Sequence, residues 1–140
     1  MDKQKLEQFI SERIMIGKGR MADVYLWNGY AYKCFGEQYP DNWIKYETDI
    51  QNEICNTNLP CVRYMPSEFP NSIRMDYIEG ISLADRVMKE KYKRGVEDLI
   101  ELMRQVHSVR DLALPELNPS LKHTISQMDV DERYKENAYK

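Results

Sequence analysis

Residues 17–24 read Gly-Lys-Gly-Arg-Met-Ala-Asp-Val, a Gly-x-Gly-x-x-Ala-x-Val pattern. Glycines in a turn leave no side chain in the way, so backbone N–H groups can approach phosphate oxygens closely. A dinucleotide-binding turn shares the Gly-x-Gly, but there the glycines follow a strand and open a helix. Here Asp23-Val24-Tyr25-Leu26-Trp27 follows, which reads as a strand. Ala31-Tyr32-Lys33 comes next, and a lysine between apolar strand neighbours needs an anionic partner. Glu47, fourteen residues on, can supply it. For either residue alone, a solvated surface charge would be the simpler account. Glycine turn, strand lysine and helix glutamate in that order favour an ion pair that holds phosphates.

The elements that position these residues are legible from periodicity. Leu6, Phe9 and Ile10 at i, i+3, i+4 predict a short amphipathic helix over Lys3 to Arg13. Ile14 to Ile16, Asp23 to Trp27 and Tyr30 to Phe35 then predict three antiparallel strands. Asn28-Gly29 supplies the two positive φ angles of a type I′ turn between the last two. Pro40-Asp41 opens a helix whose Trp43, Tyr46, Ile50 and Ile54 form one apolar stripe, ending at Asn58-Leu59-Pro60. Two more strands are expected at Cys61 to Met65 and Ser72 to Ile78. Ser82, with Asp85 three positions on, caps a helix to Lys89. A longer helix runs from Val96 to Val109, with Leu99, Leu102, Met103 and Val106 on one face. A last short helix is expected over Leu121 to Met128, followed by a charged, fraying tail from Asp129 to Lys140.

Met75-Asp76-Tyr77-Ile78-Glu79-Gly80-Ile81-Ser82-Leu83 makes a family resemblance specific. The run is similar to the hinge of the aminoglycoside phosphotransferase and choline kinase-like family. Tyr46-Glu47 through Leu59-Pro60-Cys61-Val62 also resembles that family's helix glutamate and following proline segment, and the match covers about residues 13–110. The resemblance implies a protein kinase-like α+β fold: an N-terminal lobe with an antiparallel five-stranded sheet and one helix, then the first helices of a C-terminal lobe. It places the lobe and hinge at residues 1–80 and the helical part at 81–140. It also implies that ATP or GTP binds with Mg²⁺. Gly17 and Gly19 would cover the phosphates, Lys33 would hold them and Glu47 would orient Lys33. Ile16 and Val24 would sandwich the base, with Ala31 leaving it room. Met75 would be the gatekeeper, and the Asp76 carbonyl and Ile78 amide would pair with the base edge. Three positions depart from the pattern: Ala22 for a third glycine, Cys61 for a proline-region residue, and Asp76 for a glutamate.

Phosphoryl transfer also needs an aspartate base and metal-binding side chains. The family's His-Gly-Asp does not occur here, because neither His107 nor His123 is followed by glycine. Val109-Arg110-Asp111-Leu112 with Asn118 imitates a catalytic loop, and Asp129-Val130-Asp131 a metal motif. Asp111 and Asn118 are seven apart where the loop requires five, and Pro115 and Pro119 interrupt the stretch. No catalytic residue and no metal ligand is therefore expected in this chain.

Composition narrows the partners. A chain of 140 residues suits one modest core, about half of a two-lobed kinase fold. Twenty basic against 23 acidic residues give a net charge of -3, which argues against nucleic acid and anionic membranes as partners. No apolar run is long enough to span a bilayer, and a cytoplasmic location is expected. Cys34, Cys55 and Cys61 are odd in number and form no Cys-x-x-Cys, so reduced thiols are expected rather than a disulfide or zinc site. The resulting expectation is the nucleotide-binding part of a phosphotransferase, itself inactive. The transfer would run from a nucleoside triphosphate to the hydroxyl of an aminoglycoside- or choline-like acceptor. The alternative is a non-catalytic module that binds a nucleotide, or a protein through the exposed face of the Val96 helix.

Overall fold

The computed structural model describes residues 2–110, 112 and 125–138. Helix α1 (Lys3–Glu12) leads into strands β1 (Ile14–Lys18), β2 (Ala22–Trp27) and β3 (Tyr30–Phe35). Helix α2 (Asp41–Ile54) is followed by β4 (Tyr64–Pro66) and β5 (Ser72–Asp76), then by helices α3 (Leu83–Lys89), α4 (Gly95–Ser108) and α5 (Glu132–Ala138). The architecture is α+β, with one antiparallel sheet of five strands in the order β1-β2-β3-β5-β4. Asn28 (φ 48°) and Gly29 (φ 79°) form the tight turn expected between β2 and β3.

Period-two alternation divides the sheet into two faces. Tyr25 and Tyr32 are cross-strand partners on one face, and Trp27 lies on the same side of β2. Phe9 of α1 lands there, stacked on Phe69 at 4.2 Å and edge-on to Trp27 at 5.6 Å. Phe9, Trp27, Tyr32 and Phe69 are the buried aromatic core. Polar pins surround it. The Trp27 indole N–H donates to Glu12 at 3.2 Å, the Tyr32 hydroxyl to Glu68 at 3.3 Å, and Lys5 pairs with Glu68 at 3.1 Å. The opposite face carries Val24, Lys33 and Ile73 in one cross-strand row, and Leu26, Ala31, Met75 and Tyr64 in the next.

Several local expectations need correction. Ile10, expected on the apolar face of α1, is exposed; Phe9 and the partly buried Leu6 are the residues of α1 that pack on the aromatic core. Strand β4 is limited to Tyr64–Pro66, a short edge strand, since the bonds of residues 61–63 go to α2 and its flank instead. Strand β5 ends at Asp76, two residues before Ile78. The tail expected to fray contains α5, whose Lys135 pairs with Glu132 at 2.8 Å. The expected helix over Leu121 to Met128 lies largely outside the described residues.

The cysteines are the main reversal. Cys55 at the end of α2 and Cys61 are joined in a disulfide, while Cys34 is free. The loop between them turns back on itself, bringing their Cα atoms to 5.7 Å, within the disulfide range of about 4.4–6.8 Å. An odd count leaves one thiol over; it does not prevent the other two from meeting.

Candidate functional site

Strand β3 sends Tyr32 and Cys34 toward the aromatic face and Lys33 to the opposite one, where helix α2 crosses. Lys33 Nζ and Glu47 Oε1 form an ion pair, with 25% and 30% of their side chains exposed. The Lys33 ammonium also lies 5.1 Å from the Phe35 ring centre and 5.9 Å from that of Tyr64. The Tyr64 hydroxyl donates to the same Glu47 oxygen at 3.5 Å. Burial pushes the Tyr64 phenol above its ordinary value; the Lys33 charge opposes this and Glu47 adds to it. Tyr64 is therefore a protonated donor at neutral pH.

The register decides which other expected residues share this face. Gly17 opposes Val24, Val24 opposes Lys33, and Ala31 lies between Leu26 and Met75. Gly17, Val24, Ala31, Lys33 and Met75 thus form one patch with Glu47 above it. Ile16 does not join the pairing, because the β1–β2 register shifts between Met15 and Gly17. Ile14 pairs with Leu26, in the row that continues to Ala31 and Met75. Asp76 pairs with Tyr30 at the far end of the sheet, and Ile78 lies beyond it, 68% exposed.

Gly19 does not offer its amide to a ligand. That N–H donates to the Ala22 carbonyl at 3.0 Å and closes the turn. A Cβ at Gly19 would fall 2.6 Å from the same oxygen, so the close approach itself requires glycine. The amides of Arg20 and Met21, at the tip, have no partner among the described residues. Across from the tip, Phe35 stacks on Tyr39 at 4.6 Å and Tyr39 meets Trp43 edge-on at 5.7 Å. Tyr39 and Trp43, with Arg20, Met21 and Pro40, line an open cleft of about 700 Å³.

Among the described residues, no group of three or more His, Cys, Asp or Glu side chains is placed to hold a metal ion. Asp131 of the metal-like motif is engaged by Arg133 at 3.1 Å. Asp111 and Asn118 lie outside the described residues. No described helix is long and apolar enough to cross a membrane. On α4, Leu99, Leu102, Met103 and Val106 are each between 43% and 49% exposed, an uncovered apolar face.

Tyr64 escaped sequence reasoning because an aromatic residue in a strand signals only burial. Gln51 and Asn52 escaped it too, as polar residues on a helix are ordinarily solvated. The Gln51 amide donates to the Val62 carbonyl at 2.7 Å, and Asn52 exchanges two hydrogen bonds with the Tyr64 backbone at 2.9 and 2.8 Å. These bonds fasten α2, and hence Glu47, to β4. No protein-family model matches the chain, and a search of curated proteins returns no significant match.

Proposed function

We propose that this chain binds the phosphates and base of a nucleoside triphosphate, ATP or GTP with Mg²⁺, as part of a small-molecule phosphotransferase. The family it resembles is that of the aminoglycoside phosphotransferases and choline kinase-like proteins. The Lys33–Glu47 ion pair carries this reading. A part-buried lysine held by a carboxylate, on a sheet face shared with Gly17, Val24, Ala31 and Met75, suits a polyphosphate lying beside an apolar base slot. Lys33 supplies the charge and Glu47 fixes its position. Tyr64 in turn holds Glu47, and the tip amides of Arg20 and Met21 supply neutral donors. Ala31 and Met75, one opposite the other, form the floor of the base slot, with Val24 toward the phosphates. The metal arrives with the nucleotide as part of the substrate. The acceptor in this reading is a small molecule with a free hydroxyl, and the transfer step itself is assigned to no residue of this chain.

Thermal unfolding with Mg-ATP and with Mg-GTP, in the parent and in Lys33→Ala, tests the proposal. Ligand at 100 times its Kd stabilises by about 2.7 kcal/mol, enough for a clear rise in Tm. The rise is expected in the parent and not in the variant. A parent unmoved by both nucleotides refutes the reading. It would favour instead a non-catalytic module that binds a protein through the exposed apolar face of α4.

A further inference from the structure

The bond between Cys55 and Cys61 lies on the segment that joins α2, which carries Glu47, to β4. Helix α2 reaches the sheet through β4 and β5. From its last turn to β4 the chain is laced to itself. Besides the Gln51 and Asn52 bonds, the Arg63 guanidinium donates to the Asn56 side chain at 2.9 Å and to the Cys55 carbonyl at 3.4 Å. The Thr57 hydroxyl donates to the Ile54 carbonyl at 2.7 Å and accepts from the Leu59 amide at 3.1 Å. The disulfide closes this laced loop at its two ends. One end is the last turn of α2, two turns beyond Glu47. The other leads within three residues to Tyr64, whose hydroxyl touches Glu47. Both cysteines are partly exposed, so a small reductant can reach them.

We propose that Cys55–Cys61 is a redox latch that holds Glu47 on Lys33 when oxidised and loosens it when reduced. The coupling to nucleotide rests on the function proposed above; the latch on α2 does not. A dithiol reductant opens it in two steps. A thiolate of the dithiol attacks one cysteine sulfur, breaking the protein S–S bond, forming a mixed disulfide and releasing the other cysteine as a thiolate. The second thiol of the reductant then attacks the mixed disulfide and leaves as the cyclic disulfide. Two electrons and two protons pass to the protein, leaving Cys55 and Cys61 as thiols. The freed loop regains conformations that the bond removed, and the hydrogen bonds between α2 and β4 open more often.

The test uses the full chain, oxidised and after treatment with dithiothreitol, beside the Cys55→Ser/Cys61→Ser double variant. Alkylation after unfolding should label Cys34 alone in the oxidised protein and all three cysteines after reduction. Hydrogen exchange over residues 44–54 and 62–66 should accelerate about tenfold on reduction, by local opening. Exchange in β1–β3 should stay unchanged, and the double variant should match the reduced parent. Mg-ATP affinity should fall about threefold or more in the same comparison, since only the fraction with Glu47 seated binds well. Three labelled cysteines in air-oxidised protein, or equal exchange in the two states, overturns the latch. Faster exchange with unchanged Mg-ATP affinity overturns its coupling to the site. If Mg-ATP binds in neither state, the proposed function fails, and the exchange measurement alone decides the latch.

Discussion

Replacing Lys33 by Met and Glu47 by Gln, singly and together, measures whether the ion pair that defines the candidate site exists in solution. Glu47→Gln keeps the side-chain length, Lys33→Met shortens it by one atom, and both remove the charge. Exposed ion pairs contribute about 0.2–1 kcal/mol, whereas removing one partner of a buried pair costs about 3–5 kcal/mol. This pair lies between those limits, since its side chains keep 25% and 30% of their exposure. Lys33→Met strands a carboxylate that retains one neutral donor, the Tyr64 hydroxyl. Its expected cost is about 1.5 kcal/mol, below the fully buried case. Glu47→Gln leaves a carbonyl oxygen that still accepts from Tyr64 and Lys33, so its cost is nearer 1 kcal/mol. The double variant should be milder than the sum, with a coupling of about 1 kcal/mol. Urea unfolding followed by tryptophan fluorescence provides the assay. Trp27 is buried in the aromatic core and reports its loss, while Trp43 is already 45% exposed. Raising salt from 0.1 to 1 M should reduce the coupling only in part, because a part-buried pair is incompletely screened. Additive costs, with coupling below about 0.3 kcal/mol, would refute the pair and the site built on it.

Other expectations concern the scaffold. Phe9→Ala removes the one buried residue of α1 and its contacts with Trp27, Tyr32 and Phe69. Unfolding free energy should fall by about 3–5 kcal/mol, and exchange should become fast throughout α1; retained protection there would show that α1 is held by other contacts. Gly95→Ala places a Cβ 2.2 Å from Val87 Cγ2, where α3 meets α4. It should destabilise by about 1–3 kcal/mol, and a second change, Val87→Ala, should recover most of that loss. Glu68 gives a pH dependence. Burial pushes its carboxyl up, but its own backbone amide, Lys5 and Arg74 outweigh this and leave it below the ordinary 4.5. Its contribution is therefore complete above that value and lost as pH falls through the lowered one. Stability measured between neutral and acidic pH should fall less steeply in Glu68→Gln than in the parent.

Much of this arrangement is legible in local sequence, and the exceptions share a cause. Asn28-Gly29 dictates a hairpin because its backbone angles suit few other pairs, and that hairpin sets the β2–β3 register. Ser82 caps α3 as its spacing to Asp85 requires, accepting the Asp85 amide at 3.0 Å. The stripe Trp43, Tyr46, Ile50 and Ile54 marks the apolar side of α2, which ends at Ile54 rather than at Asn58-Leu59-Pro60, yet no residue of α2 is buried. Periodicity indicates which side of a helix is apolar, but not how much surface stands opposite to cover it.

The glycine turn, the strand lysine and the helix glutamate are matters of order and spacing, so the chain alone determined them. Their meeting depends on how α2 packs against β4 and β5. Gln51 and Asn52, which bond α2 to the Val62 and Tyr64 backbone, are residues whose types announce nothing. The register shift at Ile16, the capture of the Gly19 amide by Ala22, and the joining of Cys55 to Cys61 are likewise tertiary decisions. Each turns on a displacement of a few ångströms between segments. Composition and periodicity specify which residues an element contains, whereas contact between elements depends on how they pack.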